Sequence, residues 1–460
     1  MELQRSARGA RGASGGTGDV VAKIEARLLK GFRDYLPSEE GPRLRMLDAV
    51  RRVFESFGFG PLQTPAIEYA DILLGKYGDE GDKLLYRFLD NGERDVALRY
   101  DLTVPLARVV AQYGGELVLP FRRYHVAPVW RAEKPGKGRF REFMQCDVDI
   151  VGEPSARADA EIMTVGLEVL AALGVQAFVM RVNDRRILDG ALDLVGVSAR
   201  TARTAVLRAI DKLPKIGRSE VEKEIRVAVP LEAAAMDRLF ALLGREVKGI
   251  AELEALRAEL AGSEVGIAGV DGLRALLTMV AAAGYGERVA VDLSIARGLD
   301  YYTSTIYETF LVGHEAFGSV MSGGRYDGLL DAFSGKVTPA VGISLGVDRL
   351  LAALTEAGLV TARKSAGDVF LCVMDSERHA DAMRIARAMR TAGLRVEVSL
   401  AGQKVGKQFQ LATRKGYRFA ALIGADEIAA GTVAVKDLES GQQEVLALAA
   451  VAEWGPRFAT

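Results

Sequence analysis

Between Arg122 and Ile150 two β-type runs, Arg122–Trp130 and Arg139–Ile150, are separated by little more than the loop Ala132–Gly138, which carries two glycines. A connection that short joins strands only in antiparallel fashion, because a parallel return needs a crossover of about a dozen residues or more. This hairpin sets the character of the sheet around it. Upstream runs at Leu84–Leu89 and Asp95–Arg99 lead into it through charged and glycine turns, which reads as an antiparallel meander rather than a βαβ series. Further strands are expected near Ala177–Val182, Val289–Asp292, Ser304–Leu311 and Val341–Ser344.

Helices punctuate this pattern. A helical texture starts near Asp19 and becomes amphipathic over Pro42–Phe57, where Val50, Val53, Phe54 and Phe57 recur at helical spacing. Gly58 and Gly60 end it, and the prolines in Pro61–Ala66 extend the chain beyond. Further helices are expected over Ala156–Leu173 and Gly346–Glu356. Residues 199–284, rich in Ala, Leu, Glu, Arg and Lys, read as a helical insertion. A linker of small, polar and basic residues, 357–367, precedes alternating strands (Asp368–Val373, Arg395–Leu400, Phe419–Ile423, Thr432–Asp437) and helices (Glu377–Ala392, Lys404–Lys415), the mark of a compact α/β unit. The expected class is α+β: a tail at 1–18, an antiparallel core over 19–356 that contains the insertion, and an α/β domain over 368–460.

Composition narrows the functions. A net charge of −1 means that a nucleic-acid partner must be met by local basic patches. Lys404, Lys407, Arg414 and Lys415 along one expected helix, with Arg418 after it, form such a patch or an ordinary solvated face. Two cysteines, Cys146 and Cys372, make no disulfide framework and fit a reducing compartment. Three scattered histidines make a histidine-based metal site an unfavourable reading. The sequence shows no apolar run of about 20 residues, so no membrane span is expected. The Gly, Ala, Ser and Arg of the first 18 residues read as a flexible extension, not a signal peptide.

The chemistry concentrates in a few segments. Arg131 ends the first hairpin strand, Glu133 lies in the loop, and Arg139 and Arg141 open the second strand. Planar guanidinium forks at the base of a hairpin suit phosphate oxygens, although a basic surface hairpin would look the same. Gln145, Asp147 and Asp149 alternate and so share one face; Cys146 points to the other, as core. In Ala97–Ala107, Asp101 and Thr103 offer acceptors for an ammonium group, or a plain turn. Ala296–Tyr302 (ARGLDYY) packs a guanidinium, a carboxylate and two phenols into one short run. Ser322–Leu329 (SGGRYDGL) pairs Gly323 and Gly324, which permit close approach.

Taken together and in this order, these segments resemble the class II aminoacyl-tRNA synthetases, in the form typical of the histidyl-tRNA synthetase family, from Gly31 to about Val451. Tyr124–Gly152 resembles motif 2, Pro42–Phe57 with Thr64-Pro65 motif 1, and Ala340–Leu350 (AVGISLGVDRL) motif 3. The resemblance implies that Arg131 holds the α-phosphate and the amino-acid carboxylate. Glu133, Arg139 and Arg349 contact ATP, and Arg297 contacts the α-phosphate. It implies a histidine pocket from Asp101, Leu102, Thr103, Arg131, Gln145, Asp149, Arg297, Tyr301, Tyr302 and Tyr326, with Asp149 reading the imidazole. It further implies ATP with Mg²⁺, L-histidine and tRNA(His) as ligands, a homodimer built through motif 1, a C-terminal anticodon-binding domain and a cytoplasmic location. Tyr100-Asp101 stands where many bacterial members have Pro-Glu, and Ser304 where glycine is frequent. A rival is the non-aminoacylating, histidine-binding regulatory paralogue of ATP phosphoribosyltransferase; Arg131, Arg139 and Arg349 and the C-terminal unit argue against it. A synthetase for another amino acid is disfavoured by ARGLDYY and SGGRYDGL.

Overall fold

The computed structural model describes residues 24–296, 301–360, 365–400 and 402–458. The expected tail 1–18, the helical start near Asp19 and Arg297 lie outside them. In chain order the strands of the larger part are β1 (Gly60–Pro61), β2 (Ile67–Tyr69), β3 (Arg87–Leu89), β4 (Asp95–Leu98), β5 (Phe121–Trp130), β6 (Glu142–Val151), β7 (Phe178–Asp184), β8 (Val289–Val291), β9 (Thr305–Leu311), β10 (Met321–Arg325) and β11 (Ala340–Gly346). Eight of them form one sheet in the order β1-β5-β6-β11-β10-β9-β7-β8, and β2-β4-β3 form a small separate one. The hairpin β5–β6 is antiparallel with His125 opposite Asp147 and Arg123 opposite Asp149. On the other side of β6, β11 sets Gly346, Ser344 and Gly342 against Gln145, Asp147 and Asp149.

The alternation of β6 explains the layers. Cys146, Val148 and Ile150 point into the main core, which the helices Pro37–Ser56 and Ala156–Ala172 close through Val50, Phe54, Ile162 and Met163. Each such fully buried aliphatic side chain contributes about 1.5–3 kcal/mol, an upper estimate. The opposite face carries Gln145, Asp147 and Asp149, also buried, and this face becomes the site.

Several local expectations shift. The first helix begins at Pro37, with Glu39 and Glu40 in its first turn, because proline is well tolerated at a helix start; residues Ile24–Lys30 are irregular rather than helical. Strand β6 begins at Glu142, because Arg139 bridges back to Gly136 and closes the loop. An unanticipated helix, Thr103–Tyr113, follows Asp101; its Pro105 sits in the first turn, where a missing N–H costs little. The insertion is helical over Arg200–Ile210, Leu213–Ala228 (broken at Gly217, φ 76°), Ala233–Leu243, Ile250–Glu259 and Glu264–Ala282. Glu264–Ala282 is, by length and composition alone, apolar enough to cross a membrane, contrary to the reading that no such run exists. Its glycines pack here against the helix Arg185–Leu194, where a Cβ on Gly269 would stand 2.9 Å from Ile187.

The C-terminal part has β12 (Val369–Val373), β13 (Val396–Val398), β14 (Phe419–Ile423), β15 (Thr432–Asp437) and β16 (Gln443–Ala447) in the order β13-β12-β14-β15-β16. β12 pairs in parallel with β13 and β14, across the helices His379–Thr391 and Val405–Arg414. Strand β16 escaped the sequence reading because it is an edge with only half-buried positions.

Candidate active site

A cavity of about 350 Å³ opens over the polar face of β6, β10 and β11, large enough for a nucleotide-sized ligand. Arg131 is one of its lining residues. Its Nε donates to the carbonyl of Tyr100 (3.0 Å), and its guanidinium lies 4.2 Å from the Tyr100 ring centroid and 5.1 Å from that of Phe143. Its guanidinium is thus anchored at Nε and stacked on rings where it lines the cavity. Glu133, Arg139 and Arg349 line the same cavity. Arg349 Nη1 donates to the carbonyl of Ser319 (2.6 Å), and Gly138, at φ 65°, lets the β5–β6 loop rest against the Arg349 side chain. Asp348, beside it, accepts from Arg43 Nε (2.8 Å) and the Met144 amide (2.7 Å), so the first helix, β6 and the arginine-bearing helix Val347–Glu356 are clasped together.

Carboxylates and phenols complete the lining. Asp101 Oδ1 accepts from the amides of Thr103 (3.1 Å) and Val104 (3.0 Å) and from the Tyr77 hydroxyl (3.2 Å), while Tyr301 Oη donates to Oδ2 (3.3 Å). The turn role and the cavity role of Asp101 coexist. Burial raises its pKa, and the Val104 amide, Arg131, the Tyr77 hydroxyl and the Thr103 amide pull it back. Tyr301 packs edge-on to Tyr302 (5.2 Å) and to Tyr326 (5.9 Å). Gln145 Nε2 donates to Ser344 Oγ (2.7 Å), while its buried Oε1 meets no donor among the described residues. Close approach explains the paired glycines. A Cβ on Gly323 would stand 2.1 Å from the Gly342 carbonyl, and one on Gly324 would stand 2.9 Å from the Tyr302 ring.

Of the residues singled out in the sequence, Asp101, Thr103, Arg131, Glu133, Arg139, Gln145, Tyr301, Tyr302 and Arg349 line this cavity together. Three do not. Leu102 is fully buried against Ala127 and Val129 and offers only its carbonyl, to Arg123. Tyr326 lies behind Tyr301 with its hydroxyl on Asp149. Asp149 is ion-paired to Arg123 at 2.7 Å, beneath the cavity wall. The carboxylate that does reach the cavity from this strand is Asp147. Tyr77, Asp147, Arg123 and Ser344 had no assigned role in the sequence reading. The alternation of β6 pointed to Asp147, but Tyr77 and Ser344 meet the site only through tertiary structure.

A sheet antiparallel except at its two edges, where β1 pairs with β5 and β8 with β7 in parallel, with a guanidinium fork on its hairpin, a second arginine opening the closing helix, and a separate α/β domain define a class II aminoacyl-tRNA synthetase core with an anticodon-binding module. The family model for histidyl-tRNA synthetase matches residues 31–350, and that for the anticodon binding domain matches 368–455. A histidine–tRNA ligase from Rhodopirellula baltica is 44% identical over 427 residues, covering 92% of this chain and 96% of that protein. The crystal structure of histidyl-tRNA synthetase from Nostoc sp. PCC 7120 superposes with a TM-score of 0.85 at 36% identity, covering 95% of this chain and all of that one. An ATP phosphoribosyltransferase regulatory subunit/histidyl-tRNA synthetase from Bacillus halodurans follows at 0.73 and 25% identity, with 87% and 98% covered. The chain belongs to the histidyl-tRNA synthetase family.

Proposed function

We propose that this chain, a histidine–tRNA ligase by family, runs both halves of its reaction in the cavity around Arg131: histidine and ATP give histidyl-adenylate and pyrophosphate, and histidine then passes to the 3′ end of tRNA(His). The observation that carries the reading is the lining of the cavity, which brings Arg131, Arg139 and Arg349 together with the ammonium acceptors Asp101 and Gln145. Asp101 Oδ2 and Gln145 Oε1, which meets no donor among the described residues, accept from the α-ammonium group. That places the amino-acid carboxylate at the Arg131 fork, poised to attack the α-phosphate in line. Arg131, already stacked and tethered, stabilises the charge that develops without reorganising, so the catalysis is positioning and electrostatics. Arg139, Glu133 and Arg349 hold the nucleotide. Arg297 is assigned to the α-phosphate by family resemblance alone.

Among the described residues no three carboxylate, histidine or cysteine groups converge to cage a metal. A Mg²⁺ ion carried by the triphosphate needs only one or two carboxylates. Glu133 and Glu308 line the cavity and fit that lesser demand; the ion would offset phosphate charge.

A homodimer is supported by exposed Ile67, Tyr69 and Phe88 on one face of the β2-β4-β3 sheet, apolar side chains that a monomer would leave wet. Two buried free thiols fit a cytoplasmic enzyme. The domain limits we adopt are 19–356, with the insertion at about 199–284, and 368–460. The test is exchange of labelled pyrophosphate into ATP with each standard amino acid in turn. Exchange with histidine alone is expected; a folded protein that binds histidine without exchange would restore the regulatory-paralogue reading.

A further inference from the structure

The loop that joins β5 to β6 brings Glu133 and Arg139 to the cavity, yet it stands off the sheet: β5 ends at Trp130 and β6 starts at Glu142. Its backbone is closed at the tip by the bridge between Gly136 and Arg139 and at the base by the Arg131 amide on the Arg141 carbonyl (2.8 Å). The segment Lys30–Tyr35, which precedes the first helix, lies against it. The Arg141 amide donates to the Gly31 carbonyl (2.7 Å), and Arg141 Nη1 donates to the Lys30 carbonyl (3.2 Å). Gly31 has φ 88°, and a Cβ there would stand 2.8 Å from Pro135 and from the Arg141 side chain. Both the backbone conformation and the close approach therefore call for glycine. Two residues on, the Arg33 guanidinium lies 5.4 Å from the ring centroid of Phe140, which lines the cavity, and 4.7 Å from that of Tyr35.

Tyr35 carries the contact onward. The Arg43 guanidinium of the first helix lies 4.6 Å from the same ring centroid, and Arg43 Nε donates to Asp348, the neighbour of Arg349. Burial, and then Asp348, raise the pKa of Tyr35, which sets the phenol beside that carboxylate. Each of the two cations at this ring is held by carboxylates: Arg33 by Glu39, and Arg43 by Asp348 (2.8 Å) and Glu40 (3.2 Å). One short segment thus meets the nucleotide loop on one side and, through Arg43 and Asp348, the helix of Arg349 on the other. Neither Arg33 nor Tyr35 lines the cavity. We infer that Lys30–Tyr35 is a brace, and that Arg33 and Tyr35 are positioning residues for ATP, which hold the loop of Glu133 and Arg139 in place relative to Arg349 before the nucleotide arrives. The inference rests on the reading of this cavity as the ATP site. A loop ordered in advance loses none of its binding free energy to ordering. The brace therefore acts on nucleotide affinity and not on the amino acid, whose acceptors Asp101 and Gln145 are held by other partners.

The test uses the full-length protein and two readouts, pyrophosphate exchange and amide hydrogen exchange of the loop. Tyr35→Ala and Arg33→Ala are each expected to raise KM for ATP by about 5- to 30-fold, with KM for histidine unchanged. Tyr35→Phe keeps the ring that both guanidiniums meet and should restore KM for ATP. Without ATP, the amides of residues 132–141 should exchange faster in both alanine variants than in the wild type, and saturating ATP should remove the difference. A merely structural role would move both Michaelis constants or neither. Arg33 is partly exposed, so R33A serves even if Y35A does not fold. An unchanged KM for ATP in the folded variants, equal rises for both substrates, or loop exchange that neither variant alters overturns the inference. Absence of histidine-dependent exchange of pyrophosphate into ATP in the wild type overturns the underlying reading, and the inference with it.

Discussion

Two buried glutamines show how differently the two halves of this chain treat polar groups. Gln408, in the C-terminal part, is saturated: its Oε1 accepts from the Val373 amide (3.0 Å), and its Nε2 donates to the carbonyls of Val373 (2.8 Å) and Gln403 (2.8 Å). The residue staples a helix to β12. Gln145, in the large sheet, spends its Nε2 on Ser344 and leaves Oε1 without a donor among the described residues. The contrast extends to the surroundings. Among the described residues the only buried side-chain polar atom without a partner in the C-terminal part is the Ser399 hydroxyl. The face around Gln145 collects such atoms on His125 and Asp147 as well. The first pattern is that of a module held by its own interactions. The second is that of a surface completed by a ligand, which costs stability where it creates function.

That contrast can be broken or sharpened by mutation. The largest effect is expected from Arg131→Ala, which should lower kcat for pyrophosphate exchange by about 10³-fold or more while leaving the thermal midpoint close to wild type; loss of a preorganised charge-stabilising donor is typically worth about 10²–10³. Next, Asp149→Ala should unfold the large sheet readily. It leaves Arg123, fully buried, without its counter-charge, at a cost of about 3–5 kcal/mol in denaturant titrations. The glutamines then separate the two halves. Gln145→Ala should raise KM for histidine by about tenfold with little change in stability. Gln408→Ala should cost about 1–3 kcal/mol of stability and leave exchange untouched.

The smallest effect is on pH dependence. The Asp147 carboxyl is raised by burial to about 7 in the folded protein, above the ordinary value of about 3.9. The native state therefore holds the proton more tightly than the unfolded chain. The cost of ionising Asp147 is absent below pH ~4, grows up to pH ~7 and is fully present above it. Removing the titrating group removes that cost. The thermal midpoint of D147N minus that of wild type, both without ligand, should therefore become more positive between pH 5 and pH 8.

What the sequence made legible follows from how local each signal is. The hairpin, the β6 alternation and the arginines at its base depend on residues within about 30 positions, and the structure realises all three with only end shifts. The helix at Thr103–Tyr113 was hidden because an apolar run broken by proline fits no single period, whereas Asp101 starts the helix by binding the Thr103 and Val104 amides. The fates of Asp147 and Asp149 could not be told apart from alternation alone. Both face the same way, and what separates them is distant in sequence: Arg123, Tyr326 and the missing side chain of Gly342 claim one and leave the other at the cavity. Tyr77 reaches Asp101 from 24 positions upstream, with no periodicity to announce it.

The account stands most directly on where histidine binds. A crystal structure of the full chain grown with L-histidine and a non-hydrolysable ATP analogue would decide it. The account predicts the α-ammonium group between Asp101 and Gln145 and the carboxylate at the Arg131 fork facing the α-phosphate. Histidine bound in the reverse sense, with its ring towards Arg131 or its ammonium group away from Asp101, would contradict it.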